Sequence, residues 1–189
     1  KLVLAENKKQ EADAVSKEIV DVQNLRNLAE QCRKKAIKTR ETYANITKKY
    51  NDANTEYEEV RLHFLNAQAG FLAAELESGK PCPVCGSTEH PHPAKKGVES
   101  VDISEEKLQN MQTHVDKLRK DQEKAAGDAA AARSEYDTRK DTYIASVQKL
   151  QERLHRSVSS ITEQSSVTEM SNALENWKQQ LAEELNNLQ

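Results

Sequence analysis

Apolar residues between positions 22 and 74 recur in alternating steps of three and four. One column of this repeat contains Val22, Ala29, Ala36, Tyr43, Tyr50, Tyr57, Phe64 and Phe71, and the other contains Leu25, Cys32, Thr39, Ile46, Ala53, Val60, Ala67 and Ala74. Eight consecutive heptads of this kind are typical of a coiled coil. The pattern therefore predicts a long α-helix with a single apolar seam.

The same spacing returns in the second half of the chain. The seam positions there are Leu108, Met111, Val115, Leu118, Gln122, Ala125, Ala129, Ala132 and Tyr136, followed after a phase shift by Val147, Leu150, Leu154 and Ile161. Two such helices can bury their seams against each other, so we predict an all-α fold, a long antiparallel two-helix coiled-coil hairpin. Setting bulky residues against small ones favours a register with Phe64 opposite Leu118 and Tyr57 opposite Ala125.

Helix-breaking residues are concentrated in one stretch, GKPCPVCGSTEHPHPA, at residues 79–94, which holds all four prolines. Gly79 can adopt the left-handed conformation that ends a helix, and Pro81 cannot continue one. Asp102 or Ser104 can cap the helix that follows. We therefore expect an ascending helix over 1–78, a loop over 79–102 that carries a CxxC motif, and a descending arm over 103–189.

A second interruption is expected within the descending arm. The heptad phase of the first helix slips between Val15 and Val22, and the stretch predicted to lie opposite, 157–166, is rich in Ser and Thr, which are poor helix formers. Ser166 and Glu169 have the spacing of a capping box, in which each side chain bonds the other residue's backbone N–H. We predict a helix break near residues 160–167.

Composition agrees with exposed helices more than with a compact core, since 36% of residues are hydrophobic, 4% aromatic and 31% charged. The 28 basic and 31 acidic residues are interspersed, giving a net charge of -3. This balance argues against a DNA-binding arm, the third function considered. No apolar run has the length of a membrane span and no signal peptide is visible, so no membrane partner is expected. The chain begins with Lys1 and is expected to be a piece of a longer protein.

Three cysteines without a secretory signal indicate a reducing, cytoplasmic setting, where a CxxC pair is more often a metal site than a structural disulfide. In CPVCG, Cys82 and Cys85 can direct both sulfurs to one point, and Pro83 stiffens the turn. Gly86 can adopt a positive φ, and backbone amides after Cys82 can donate to its thiolate. The motif therefore predicts half of a tetrahedral zinc site, with Cys82 and Cys85 as metal ligands and no catalytic residue.

Three completions of this half-site are open. His90 and His92 could close it within the chain, as a knuckle that docks a protein partner. A second CxxC pair could come from another molecule, or the pair could be a redox dithiol. The two histidines are only two residues apart and each precedes a proline, unlike usual zinc histidines. A redox pair lacks its strand-helix scaffold here. Two chains related by a two-fold axis could supply four equivalent sulfurs, which favours the intermolecular site.

The coiled-coil pattern around P-C-P-x-C-G-S-T, residues 81–88, followed by His-Pro, resembles the zinc-hook region of SbcC, the ATPase subunit of the bacterial SbcC-SbcD nuclease. The resemblance implies that Cys82 and Cys85 bind one Zn²⁺ jointly with the same pair of a second chain, giving a homodimer with one zinc per two chains. It also implies that ATPase segments lie outside this stretch and engage DNA and an SbcD-type nuclease to process DNA ends and hairpins.

No ATPase signature lies within the chain itself. Gly79-Lys80 is followed by Pro81, and Ala74 stands where the first glycine of a phosphate loop would be needed. We therefore expect a non-enzymatic tether in which zinc joins two hairpins.

Overall fold

The computed structural model describes residues 1–95 and 104–188, and three helices account for most of them. Helix α1 spans Leu2–Ala74, α2 spans Glu105–Ser157 and α3 spans Val167–Asn186. The two long helices pack against each other with opposite directions, and the Cys82–Cys85 pair lies in the connection between them. No strand occurs within the described ranges. The predicted all-α antiparallel hairpin is confirmed.

The apolar seams are also found where the sequence predicts them. In α1, each predicted position from Val22 to Phe64 is buried or half-buried, and so is each predicted position of the second arm. The last three predicted positions of the first arm, Ala67, Phe71 and Ala74, are exposed instead. The heptad pattern thus runs further along α1 than the contact between the helices does.

Side-chain contacts between α1 and α2 fix the register of the hairpin. Lys35 Nζ lies 2.8 Å from a carboxylate oxygen of Glu135, and Gln122 Nε2 donates to Thr47 Oγ1 at 3.1 Å. Both pairs are centred in the sequence within one residue of Cys85. The helices are therefore paired about the CxxC motif itself.

The predicted register is wrong. Placing Phe64 opposite Leu118, or Tyr57 opposite Ala125, centres the pairs on residue 91, and the observed contacts differ from that by about two heptads in total. A heptad pattern repeats every seven residues, so it is satisfied equally well by registers that differ by whole heptads. Matching bulky with small residues does not choose correctly here.

The compact unit formed by residues 1–40 and 128–189 contains the deepest packing. Helix α3 joins α1 and α2 there, and Lys178 of α3 pairs with Asp13 of α1 at 3.2 Å. The core is built from residues of all three helices and of the α2–α3 connection: Ala12, Val15, Ile19, Val22, Leu150, Leu154, Ile161, Val167, Met170, Leu174 and Leu181. A third helix lets side chains be enclosed that a two-helix seam would leave partly exposed.

The connection between α2 and α3 covers 158–166. Ser166 Oγ accepts from the Glu169 N–H at 3.2 Å, and the Ser166 N–H donates to the Glu169 carboxylate at 2.6 Å, so the capping box indicated by the sequence is formed. Gln151 of α2 donates to the Ser165 carbonyl at 2.8 Å. These bonds hold the connection against the end of α2 and satisfy amides that would otherwise lack partners at the start of α3.

The second unit, Glu41–Gly127, contains a half-buried two-helix seam and the connection that bears the cysteines. Helix α1 ends at Ala74, and Gly79 beyond it has φ 81°, the left-handed conformation expected of it. Ser104 Oγ accepts from the Lys107 N–H at 3.1 Å and so bonds the first turn of α2. The other predicted cap, Asp102, lies outside the described residues.

Candidate metal centre

The CPVCG turn is closed by two backbone hydrogen bonds. The Gly86 N–H donates to the Cys82 carbonyl at 2.8 Å, and the Cys82 N–H donates to the Ser87 carbonyl at 2.9 Å. Gly86 has φ 75°, which a residue with a Cβ adopts only with strain. The turn therefore depends on glycine at this position, and it brings the two thiols of Cys82 and Cys85 to one side.

The Cys82 thiol lies inside this turn and receives backbone donors. The Val84 N–H lies 3.4 Å from Cys82 Sγ. Hydrogen bonds from the backbone amides of Cys85 and Val84, with a further one from the Cys85 side chain, hold the pKa of Cys82 below its usual value, although partial burial opposes this. Because the thiolate is the form that binds metals, the turn prepares Cys82 for coordination.

His90 completes a group of three possible ligands. Its Nε2 lies 3.3 Å from Cys85 Sγ, and the ligand atoms of Cys82, Cys85 and His90 all lie within 4.8 Å of one another. Ser87 sets this approach, since its hydroxyl donates to the Glu89 carbonyl at 2.8 Å and accepts from the Glu89 N–H at 3.2 Å. The short turn at Ser87 reverses the chain and brings the imidazole back toward the cysteines.

These separations suit tetrahedral coordination. With metal–sulfur bonds of about 2.3 Å and metal–nitrogen bonds of about 2.05 Å, a tetrahedral ion separates sulfur from nitrogen by about 3.6 Å and two sulfurs by about 3.8 Å. The observed 3.3 Å between Cys85 Sγ and His90 Nε2 is close to the first of these values. Cys82, Cys85 and His90 could therefore hold a metal ion with only small movements.

The structure separates the two histidines that the sequence presents as a pair. Both line a cavity of about 320 Å³ beneath the turn, walled by apolar residues including Leu72, Leu76 and Pro83. Within the described ranges, however, only His90 belongs to the ligand group. Spacing along the chain did not distinguish His90 from His92, and the Ser87–Glu89 turn is the signal that could have done so.

Two curated proteins are similar to part of the chain, and both are SbcC components of the nuclease SbcCD. The protein from Rhodobacter capsulatus is 41% identical over 69 residues, which is 36% of this chain and 4% of the relative. The protein from Treponema pallidum is 34% identical over 55 residues, which is 29% of this chain and 5% of the relative. The resemblance drawn from the CxxC motif is confirmed. The matched segments span only a small fraction of the relatives' length.

No protein-family model matches the chain, and neither does any solved structure. None of the helices in the described part of the chain has an apolar stretch of membrane-spanning length. The similarity to SbcC and the three-residue ligand group are therefore the two findings from which function can be argued.

Proposed function

We propose that this chain is the hook segment of an SbcC-type protein, in which zinc joins two hairpins. Cys82 and Cys85 of each chain supply two thiolates, and one Zn²⁺ is shared between two chains. The observation that carries the proposal is the CPVCG turn, which directs two thiols to one side and stabilises the Cys82 thiolate with backbone amides. Its position at the centre of the hairpin pairing leaves it accessible to a second copy.

Ligand chemistry supports zinc as the metal. Sulfur and imidazole donors suit zinc, and hard cations such as Mg²⁺ and Ca²⁺ favour oxygen donors. Structural zinc sites usually have four protein ligands, and the turn provides two cysteines. Cys85 is exposed, so its thiolate can reach an ion that a second chain also contacts. A two-fold arrangement then completes the site with four sulfurs.

In this proposal the chain divides into an ascending helix over 1–78, a hook loop over 79–102 and a descending arm over 103–189. The arms set the distance from the hook, and the segment performs no catalysis itself. DNA, an SbcD-type nuclease and ATP are engaged by parts of the longer protein outside this chain, as the names of its relatives suggest. The zinc joint would hold two such assemblies, or two halves of one, together.

One observation favours a second candidate function. Because His90 Nε2 lies 3.3 Å from Cys85 Sγ, the hairpin could close its metal site within one chain and present the loop to a different protein. His92 lies outside the ligand group, so the four-ligand version of this knuckle lacks one of its members. The four-thiolate site shared by two chains is the stronger proposal.

Native mass spectrometry of the chain with half an equivalent of zinc tests the proposal, because it counts chains and metal ions in one species. We expect two chains with one zinc, and single chains after chelation or in the Cys82→Ser, Cys85→Ser double variant. Cys32→Ser is the matched control, since that thiol is buried in the seam and should leave the dimer unchanged. One chain with one zinc, and no dimer at any ratio, would support the docking knuckle instead.

A further inference from the structure

His90 is the one member of the ligand group that a shared four-thiolate site does not use. We propose that His90 is the third ligand of a single-chain form of the metal site, and that the cysteine pair of a second chain displaces it. The loop would then alternate between a loaded single chain and a shared hook. This inference rests on the proposed function and concerns how that same joint is made and released.

The contact geometry supports a ligand role for His90. Its Nε2 faces Cys85 Sγ at 3.3 Å, and its side chain is half-buried although the surrounding loop is mostly exposed. The Ser87–Glu89 bonds hold the chain so that the imidazole turns toward the cysteines. His92 has the same residue type, the same following proline and the same cavity, but it is not in the group. Proximity to the sulfurs is therefore specific to His90.

Ligand counting defines the single-chain form. Two thiolates and one neutral imidazole occupy three of the four positions of a tetrahedral zinc ion, and a water molecule takes the fourth. A site with an open position of this kind can exchange ligands, whereas a closed four-thiolate site exchanges them with difficulty. The single chain can thus hold zinc while remaining open to a partner.

The exchange can be written with all ligands accounted for. A metal-free second chain brings two thiols, which lose two protons to solvent and form two new zinc–sulfur bonds. The zinc–nitrogen bond to His90 and the zinc–water bond break, and both ligands leave as neutral groups. Two single chains that already hold zinc can pair in this way only if one ion is released.

This stoichiometry makes pairing depend on zinc supply in both directions. Half an equivalent of zinc leaves metal-free chains available, so dimers form. Excess zinc loads each chain separately, and the stability of the single-chain form, to which His90 contributes a ligand, sets how readily dimers are lost. His90 would therefore make the joint sensitive to zinc excess as well as to zinc depletion.

The test is a zinc titration of the wild-type chain, His90→Gln and the matched control His92→Gln, followed by native mass spectrometry. For wild type and His92→Gln, we expect dimers to peak at one zinc per two chains and to be replaced in excess zinc by single chains that each hold one ion. In His90→Gln, dimers should persist to zinc concentrations at least about tenfold higher, because loss of a ligand weakens the single-chain form.

Histidine NMR gives a second readout that does not depend on counting chains. The ring signals of His90 should shift in excess zinc and return toward their metal-free positions at one zinc per two chains, while those of His92 change little. Titration curves that coincide for wild type and His90→Gln, or equal shifts for both histidine variants, would overturn the inference. Absence of wild-type dimers at every zinc ratio would instead refute the proposed hook.

Discussion

The two compact units are ordered by different interactions. In the unit of residues 1–40 and 128–189, Leu154, Met170 and Leu174 are at most 1% exposed. In the unit of residues 41–127, Phe71 is 56% exposed and Val84 is 70% exposed. The first unit is stabilised by burial of large apolar side chains in a three-helix core. The cysteine-bearing loop of the second is held by a few short hydrogen bonds and by groups that can bind a metal.

The difference teaches that stability and chemistry are separated along this chain. Burying a Leu or Met side chain fully contributes about 1.5–3 kcal/mol, so the three-helix core does not depend on metal. The loop buries little apolar surface, and metal binding is the strongest interaction available to it. Changes in one unit should therefore leave the other nearly unaffected, and the following substitutions test that separation.

The largest effect is expected when the loop loses both thiols. The Cys82→Ser, Cys85→Ser double variant should lose zinc binding almost completely, because hydroxyls are poor zinc ligands compared with thiolates. Helix content should stay unchanged, since no core residue is altered. Bound zinc per chain and circular dichroism measure the two expectations. Substantial loss of helix, or retained zinc, would show that the units are not separate in this sense.

The next largest effect is expected in the three-helix core. Leu154→Ala should lower the free energy of unfolding of that unit by about 2–5 kcal/mol, because it leaves a cavity among side chains of three helices. Hydrogen exchange of amides in α3 measures this loss. The matched substitution Leu62→Ala, at a residue that is 60% exposed, should change stability by less than about 0.5 kcal/mol.

Zinc binding by the Leu154→Ala variant supplies the control for the comparison. Its zinc content and dimer fraction should match those of the wild type at temperatures where α3 remains folded. If the core substitution weakened zinc binding as much as it weakened α3, the loop and the core would be one cooperative unit and the comparison would fail.

A smaller effect is expected at the start of α3. Ser166→Ala removes the side-chain acceptor for the Glu169 N–H and should cost about 1 kcal/mol, measured by hydrogen exchange of α3 amides. Ser166→Asn, which keeps a capping acceptor, should restore most of the loss. An equal loss in both variants would mean that the capping bond contributes nothing to α3.

The smallest effect is a pH dependence of the same cap. Hydrogen bonds from Ser166, first from its backbone N–H, hold the pKa of Glu169 below its usual value. A carboxyl with a lowered folded pKa stabilises the fold fully above its unfolded pKa of about 4.5 and loses that contribution as the pH falls through the folded value. The protection of α3 amides should therefore fall more steeply on acidification in wild type than in Glu169→Gln.

The Glu169→Gln variant keeps an acceptor at the same position without a titrating group, which makes it the reference for this measurement. The difference between the two proteins should be smaller than the effect of Ser166→Ala, because Glu169 is exposed. Parallel acid profiles would mean that the carboxylate charge does not support the cap.

The sequence was sufficient for features set by local periodicity and local capping. The seam from Val22 to Phe64 follows from spacing, because each apolar residue on one side of a helix must find cover. The capping box of Ser166 and Glu169 follows from the preferences of a helix start. Gly79 and Gly86 have the positive φ values expected of them. None of these depends on knowing which distant residues meet.

Features that depend on pairing between distant segments were harder to predict. The register failed because heptads repeat, and Phe64 fits several partners equally well by pattern alone. Helix α3 was expected only as a continuation of the descending arm, since nothing local shows that Leu174 shares a core with both long helices. His90 was weighed equally with His92, because the Ser87–Glu89 turn that brings it to Cys85 is a three-dimensional feature.

The central claim is that one zinc ion is held by four sulfurs from two chains, and X-ray absorption at the zinc edge tests it most directly. The sample is the wild-type chain loaded with one zinc per two chains. The account predicts four sulfur neighbours at about 2.3 Å and no imidazole signal. Two sulfurs with one or two nitrogen neighbours at about 2.0–2.1 Å in that sample would contradict the shared hook and place the metal within a single hairpin.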